Sequence, residues 1–295
     1  MKVRIITGLL AAALPIAALW FLMSPLLGIL IIPFAAMACY EICHAVKMEN
    51  RAMIGVATVA AAFVPPLLEY GHRLPGWLGI EVPAYPLLLG YFLLLVILML
   101  AQFGKTRFDH VLYALLASLA VPGAASALLL IRNLVADREG PAFEMNLAVF
   151  LVFYTFCSAW LTDIFAYFVG SKLGKHKLSP KISPKKTVEG AIGGLIGAAL
   201  MNMGFAILFN TFFLENHKLN LLAVALLTVP IGAISMLGDL AASVLKRNFG
   251  VKDFGKLFPG HGGVMDRIDS LVVVAPTVLA ILKVEEALGI LVFYK

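Results

Sequence analysis

Residues 146–169 read NLAVFLVFYTFCSAWLTDIFAYFV, a run of 24 residues with one charge, Asp163. A helix that crosses the hydrocarbon core of a bilayer needs about 20 predominantly apolar residues. This run is long enough to cross and too apolar to coat a soluble protein. Eight similar runs flank it, at Ile5–Leu22, Leu26–Cys43, Ala52–Leu68, Tyr85–Phe103, His110–Ile131, Val188–Phe213, Leu219–Leu245 and Leu271–Phe293. The expected fold is therefore all-α, a polytopic transmembrane helix bundle of about nine spans.

Composition agrees. Of the 295 residues, 61% are hydrophobic and 14% charged. Soluble domains carry about 25% charged residues, so a soluble fold is excluded. The net charge of +6 does not point to nucleic acid, because the basic residues are confined to particular loops and form no stripe with interleaved aromatics. Cys39, Cys43 and Cys157 all fall in apolar runs, without the spacing of a zinc site, and read as small buried hydrophobes.

Lys and Arg concentrate on the cytoplasmic side of membrane proteins. With nine spans and the N-terminus in the cytoplasm, 17 of them fall on that side. Arg73, Arg132, Arg138, Lys218 and Lys295 fall on the other, and Lys283 lies within the last span. The asymmetry supports both the count and the orientation. It divides the chain into an N-terminal bundle of five spans, residues 1–145, with few chemical features, and a C-terminal region of four spans, residues 146–295. The latter carries two cytoplasmic loops, 170–187 and 246–270.

The polar groups cluster in that second region. A carboxylate at membrane depth costs about 2.5–3.5 kcal/mol on insertion scales and normally has a partner or a task. Asp163 shares a helix face with Tyr167 and Gly170, and the glycine leaves room for close approach. Asp239, Ser243 and Lys246 form a second stripe at i, i+4 and i+7. Helix-helix adhesion through these groups is the structural alternative. Loop 170–187 holds six lysines, including Lys185 and Lys186, and ends at Thr187, well placed to cap the next helix, whose first N–H groups attract anions. Such a loop suits a polyphosphate, although lysines alone could equally anchor to anionic headgroups. In loop 246–270, glycines 260, 262 and 263 flank His261 and permit backbone N–H groups to approach phosphate. Asp266 and Asp269 lie three residues apart at the entry to the last span. Carboxylates beside Lys and Arg are what a magnesium–polyphosphate site requires.

The run from Ser243 to Asp269 resembles the signature of the phosphatidate cytidylyltransferases, or CDP-diacylglycerol synthases. Ser243, Lys246, Arg247, Lys252, Asp253, Gly255, Phe258, Pro259, His261, Gly262, Gly263, Asp266, Arg267 and Asp269 match throughout. The stretch Ser183–Gly190 and the segment Asp163–Tyr167 are similar to that family as well. The resemblance implies a nucleotidyltransferase of the EC 2.7.7 type that transfers CMP from CTP to phosphatidic acid for phospholipid biosynthesis, releasing pyrophosphate. It further implies a homodimer among membrane lipids, in the inner or plasma membrane of a bacterial cell with the site facing the cytoplasm.

On this reading Asp239, Lys246, Arg247, Asp266 and Arg267 are the catalytic candidates. Lys185, Lys186, Thr187, Ser243, Lys252, His261, Gly262 and Gly263 are the substrate-binding candidates. Asp239 and Asp266 are expected to hold Mg2+, with Asp163, Asp253 and Asp269 as further ligands or supporting groups and a second metal ion left open. Two other activities fit parts of the sequence: a CTP-dependent lipid-alcohol kinase, and a transporter of phosphorylated solutes. The second is disfavoured because no repeated halves are visible and the polar motifs gather toward one face.

Overall fold

The computed structural model describes residues 26–70, 84–139, 145–258, 260 and 262–294. Helices α1 (Leu26–Ala45), α2 (Arg51–Tyr70) and α3 (Ala84–Ala101) are followed by α4 (Phe108–Leu115). The last runs through a π turn, Leu116–Ala120, into α5 (Val121–Glu139). Then come α6 (Met145–Leu173), strands β1 (Lys177–Ser179) and β2 (Ser183–Thr187), α7 (Val188–Phe212), α8 (Leu221–Asn248), the single turn α9 (Met265–Ile268) and α10 (Leu271–Leu288). Each apolar run from Leu26 onward is thus helical, while the run Ile5–Leu22 lies outside the described residues. Among the described residues six helices are long and apolar enough to cross a membrane, and Tyr85–Ala101 is a shorter apolar one.

Large apolar side chains point outward along these helices, among them Leu93, Ile97 and Leu100 on α3 and Ile192, Ile196 and Leu200 on α7. A soluble protein does not expose contiguous apolar surface on this scale, and a lipid-facing one must. The chain is a multi-pass membrane protein.

The described residues fall into two packing units, the first within Met1–Ser126 and Phe249–Arg267, the second within Ala127–Asn248 and Ile268–Lys295. In the first, α1 packs on α2 around Ala35, Ala38, Cys39, Ile42, Met53, Ala57 and Ala61. The buried Asn50 accepts the Met53 N–H in the first turn of α2 (3.0 Å) and donates to Leu98 O and Thr106 Oγ1, both at 3.0 Å.

In the second unit α6 and α7 lie nearly in backbone contact. A Cβ at Gly194 would stand 2.6 Å from Thr162 O and 3.0 Å from Ala166 Cβ. Small residues give membrane helices this closeness. Asn202 of α7 donates to Ser158 of α6 (3.0 Å) and Thr228 of α8 (3.1 Å), so three helices are also joined by hydrogen bonds in their apolar interior. The last helix is shorter than the apolar run. It stops at Leu288 because Gly289 takes φ 64°, and Ile290 N–H turns back to Glu285 O at 3.0 Å.

Candidate functional site

The lysine-rich loop is largely structured. Helix α6 continues to Leu173, and the chain then forms an antiparallel hairpin in which Lys177 pairs with Thr187 and Ser179 with Ser183. Strand alternation separates neighbouring lysines, leaving Lys185 exposed and Lys186 half-buried. The hairpin base is fixed by Glu189, whose carboxylate accepts the N–H groups of Lys175 (3.0 Å) and His176 (3.1 Å) and meets the His176 ring at 2.5 Å. Thr187 caps α7 as expected, its hydroxyl accepting the Gly190 N–H at 3.1 Å. Gly170 packs against that cap: a Cβ there would meet the Thr187 hydroxyl oxygen at 2.8 Å.

So anchored, β2 directs Lys186 into an ion pair with Asp239 of α8, and its Nζ lies 4.0 Å from Asp163 of α6. About two turns further along α8, Lys246 approaches Asp269 at 3.6 Å, both side chains only 10% exposed. Burial pushes the Asp269 carboxyl up to about 7; the negative charges of Asp239 and Asp163 add to the effect, and Lys246 and the Ser270 N–H oppose it. Asp163, Lys186, Asp239, Lys246 and Asp269 thus form one electrostatic cluster inside the second unit. Ser243 lies half-buried and Arg247 exposed on the same helix, α8.

Three carboxylates against two ammonium groups leave surplus negative charge, which adds to burial in raising the proton affinity of Asp269. Magnesium characteristically takes one or two carboxylates and completes its shell with phosphate oxygens and water. The donor set fits such a cation. It does not form a closed cage: among the described residues no group of three or more His, Cys, Asp or Glu is arranged to hold a metal unaided.

The other motif residues belong to the first unit. Asp266 sits on α9 and not at the start of the last long helix, which begins at Leu271. Its Oδ2 accepts the N–H groups of Phe254 (2.8 Å), Gly263 (2.9 Å) and Gly255 (3.4 Å). The Gly263 N–H therefore points at a carboxylate of its own loop. Gly260 and Gly262 adopt φ of 79° and 81°, the left-handed region that glycine enters without cost, and Phe258 N–H closes the turn on Gly262 O at 2.9 Å. Lys252, Asp253 and Arg267 are exposed on this loop. His261 and Pro259 lie outside the described residues.

Glu41 of α1 is absent from the residues singled out in the sequence, although the rule that flags Asp163 applies to it equally. It is buried, and its carboxylate accepts the N–H groups of Val264 (3.0 Å) and Met265 (2.8 Å) in the signature loop.

These features define a polytopic membrane protein with a Lys- and Asp-lined site suited to phosphate and a divalent cation. A family model described as the cytidylyltransferase family matches residues 2–285, and the chain belongs to that family. It is similar to a phosphatidate cytidylyltransferase of Bacillus subtilis (strain 168), 32% identical over 283 residues, which covers 94% of this chain and 95% of the relative. Proteins of the same description in Haemophilus influenzae and Staphylococcus haemolyticus are 47% and 44% identical over 128 and 125 residues. Those alignments cover 43% and 42% of this chain and 44% and 46% of the relatives.

Proposed function

We propose that the chain transfers the cytidylyl group of CTP to phosphatidic acid, giving CDP-diacylglycerol and pyrophosphate for phospholipid biosynthesis. The observation that carries this reading is the end-to-end similarity to a relative described as a phosphatidate cytidylyltransferase. The charged cluster is the chemistry such a transfer needs.

A phosphate monoester oxygen of phosphatidic acid is already ionised at neutral pH, so no strong general base is required. It attacks the α-phosphorus of CTP, a new P–O bond forms, and the bond to the bridging oxygen breaks with its electron pair leaving on pyrophosphate. The residues bring two anions together, align the attack and stabilise the leaving group. Lys186, Lys246, Arg247, Lys252 and Arg267 bind phosphate oxygens. Lys185 and Thr187 support the grip of the hairpin on the triphosphate or the lipid phosphate, Ser243, His261 and Gly262 shape or donate to the same groups, and Gly263, its N–H held by Asp266, shapes the loop. Asp239 and Asp266 would hold magnesium, with Asp163, Asp253 and Asp269 as further ligands. The ion supplies neutralisation of the charge that builds on the transferring and leaving phosphates.

The site is assigned to the cytoplasmic face of the inner or plasma membrane, level with the headgroups. The nine-span topology with a cytoplasmic N-terminus and a homodimeric state are part of the same proposal. Product analysis separates the alternatives. With phosphatidic acid, CTP and magnesium, this reading requires pyrophosphate; release of CDP would identify a lipid-alcohol kinase, and unchanged CTP with solute movement a transporter.

A further inference from the structure

We propose that Glu41 is a positioning residue for the transfer, holding the signature loop from the N-terminal bundle; the proposal rests on the function given above. In sequence the N-terminal spans offer no ligand for CTP or lipid phosphate. Yet Glu41, on the last full turn of α1, is 6% exposed inside an apolar helix. A carboxylate in that setting is retained only with strong partners. Its partners are the adjacent N–H groups of Val264 and Met265, 223 and 224 residues away in the chain.

The loop is built around this carboxylate. A Cβ at Gly255 or at Gly263 would collide with the Glu41 carboxylate itself. Both glycines are thereby explained at positions where positive φ is not the reason. The same short segment wraps the Asp266 carboxylate with the N–H groups of Phe254, Gly255 and Gly263. Five backbone donors thus divide between two carboxylates, one from α1 and one from the loop. Glu41 fixes Val264 and Met265, Asp266 follows at once, and Arg267 next. Glu41 touches no reacting atom in this account. It sets the backbone from which Asp266 and Arg267 project.

A glutamine at 41 keeps the size but sets an NH2 group against one of the two N–H donors. Charge-assisted hydrogen bonds are roughly twice as strong as neutral ones, and a positioning loss of this kind should lower kcat about 10- to 100-fold. The test uses the full chain in detergent, comparing wild type, Glu41→Gln and Gly255→Ala. Turnover of CTP with phosphatidic acid is measured alongside hydrogen–deuterium exchange. The expected result is a fall in kcat of that size in both variants, with the KM for CTP changed by less than about threefold. Exchange should be faster in peptides covering 249–267 and unchanged in those covering α6 and α7. Activity of Glu41→Gln within about threefold of wild type overturns the proposal, as does lost activity with unaltered exchange in the loop. Should Glu41→Gln not accumulate as folded protein, Gly255→Ala decides, since it keeps the carboxylate and wedges a methyl against it; near-wild-type kcat there overturns the proposal. A wild type that makes no CDP-diacylglycerol refutes the assigned reaction instead, and the exchange comparison still reports whether Glu41 holds the loop.

Discussion

Replacing Lys186 by methionine removes the cation that β2 places between two helices while keeping most of the side-chain volume. The ammonium pairs with Asp239 and stands 4.0 Å from Asp163. At that separation two unit charges attract by about 4 kcal/mol at an effective dielectric near 20. Asp163 is 39% exposed, so screening reduces its share to about 1 kcal/mol or less. The pairing with Asp239, 22% exposed, retains more. Beyond these resting contacts, the lysine is assigned to charge that grows on the phosphates during transfer, and loss of one such positioned donor lowers kcat about 100- to 1000-fold. The expectation for Lys186→Met is a fall in that range, measured as cytidine label entering the lipid phase at saturating CTP. Lys185→Met is the internal control. That lysine is exposed on the opposite face of the same strand, and its loss should cost less than about tenfold. A Lys186→Met enzyme within about threefold of wild type, or equal damage from the two substitutions, would remove Lys186 from the transfer.

Asp266→Asn should lower turnover about 100-fold or more while exchange across 249–267 stays close to wild type, because the amide oxygen can still accept loop N–H groups; near-normal activity would remove Asp266 from the mechanism. Thr187→Ala deletes the cap of α7 and should cost about 1 kcal/mol of stability, read as a lower unfolding temperature in detergent; an unchanged transition would mean that the cap contributes nothing. Asp269 supplies a pH signature. Its folded-state value of about 7 exceeds the unfolded value of about 3.9. Between the two the folded protein holds a proton that the unfolded chain lacks. The stabilisation is full below about pH 4 and lost as pH rises through about 7. Without divalent cations, Asp269→Asn should flatten the decline in unfolding temperature across that window, and an identical slope in the variant would contradict the assignment.

The helices were legible because apolar runs of spanning length have few other solutions in a bilayer. Asp163 and Asp239 were legible for the converse reason, being charges where charges are costly. The hairpin was not: Lys177–Ser179 and Ser183–Thr187 carry Lys, Ser and Pro in place of alternating apolar residues, and their order comes from Glu189 at the base rather than from strand propensity. Pairing was equally hidden. Helical spacing places Lys246 on the stripe of Asp239, but nothing local shows that Lys186, 53 positions earlier in the chain, reaches Asp239 or that Asp269 reaches Lys246. The glycines of the signature loop suggest phosphate contact by composition. What local sequence cannot reveal is that Gly255 and Gly263 make room for a carboxylate from α1.

The assigned transfer is tested by supplying the purified chain with phosphatidic acid, magnesium and CTP labelled in the cytosine, then following label and pyrophosphate together. The prediction is label in the lipid phase and pyrophosphate in equal amounts, both dependent on phosphatidic acid and on the divalent cation. Folded protein that leaves the label in the aqueous phase, or that releases CDP in place of pyrophosphate, would contradict it.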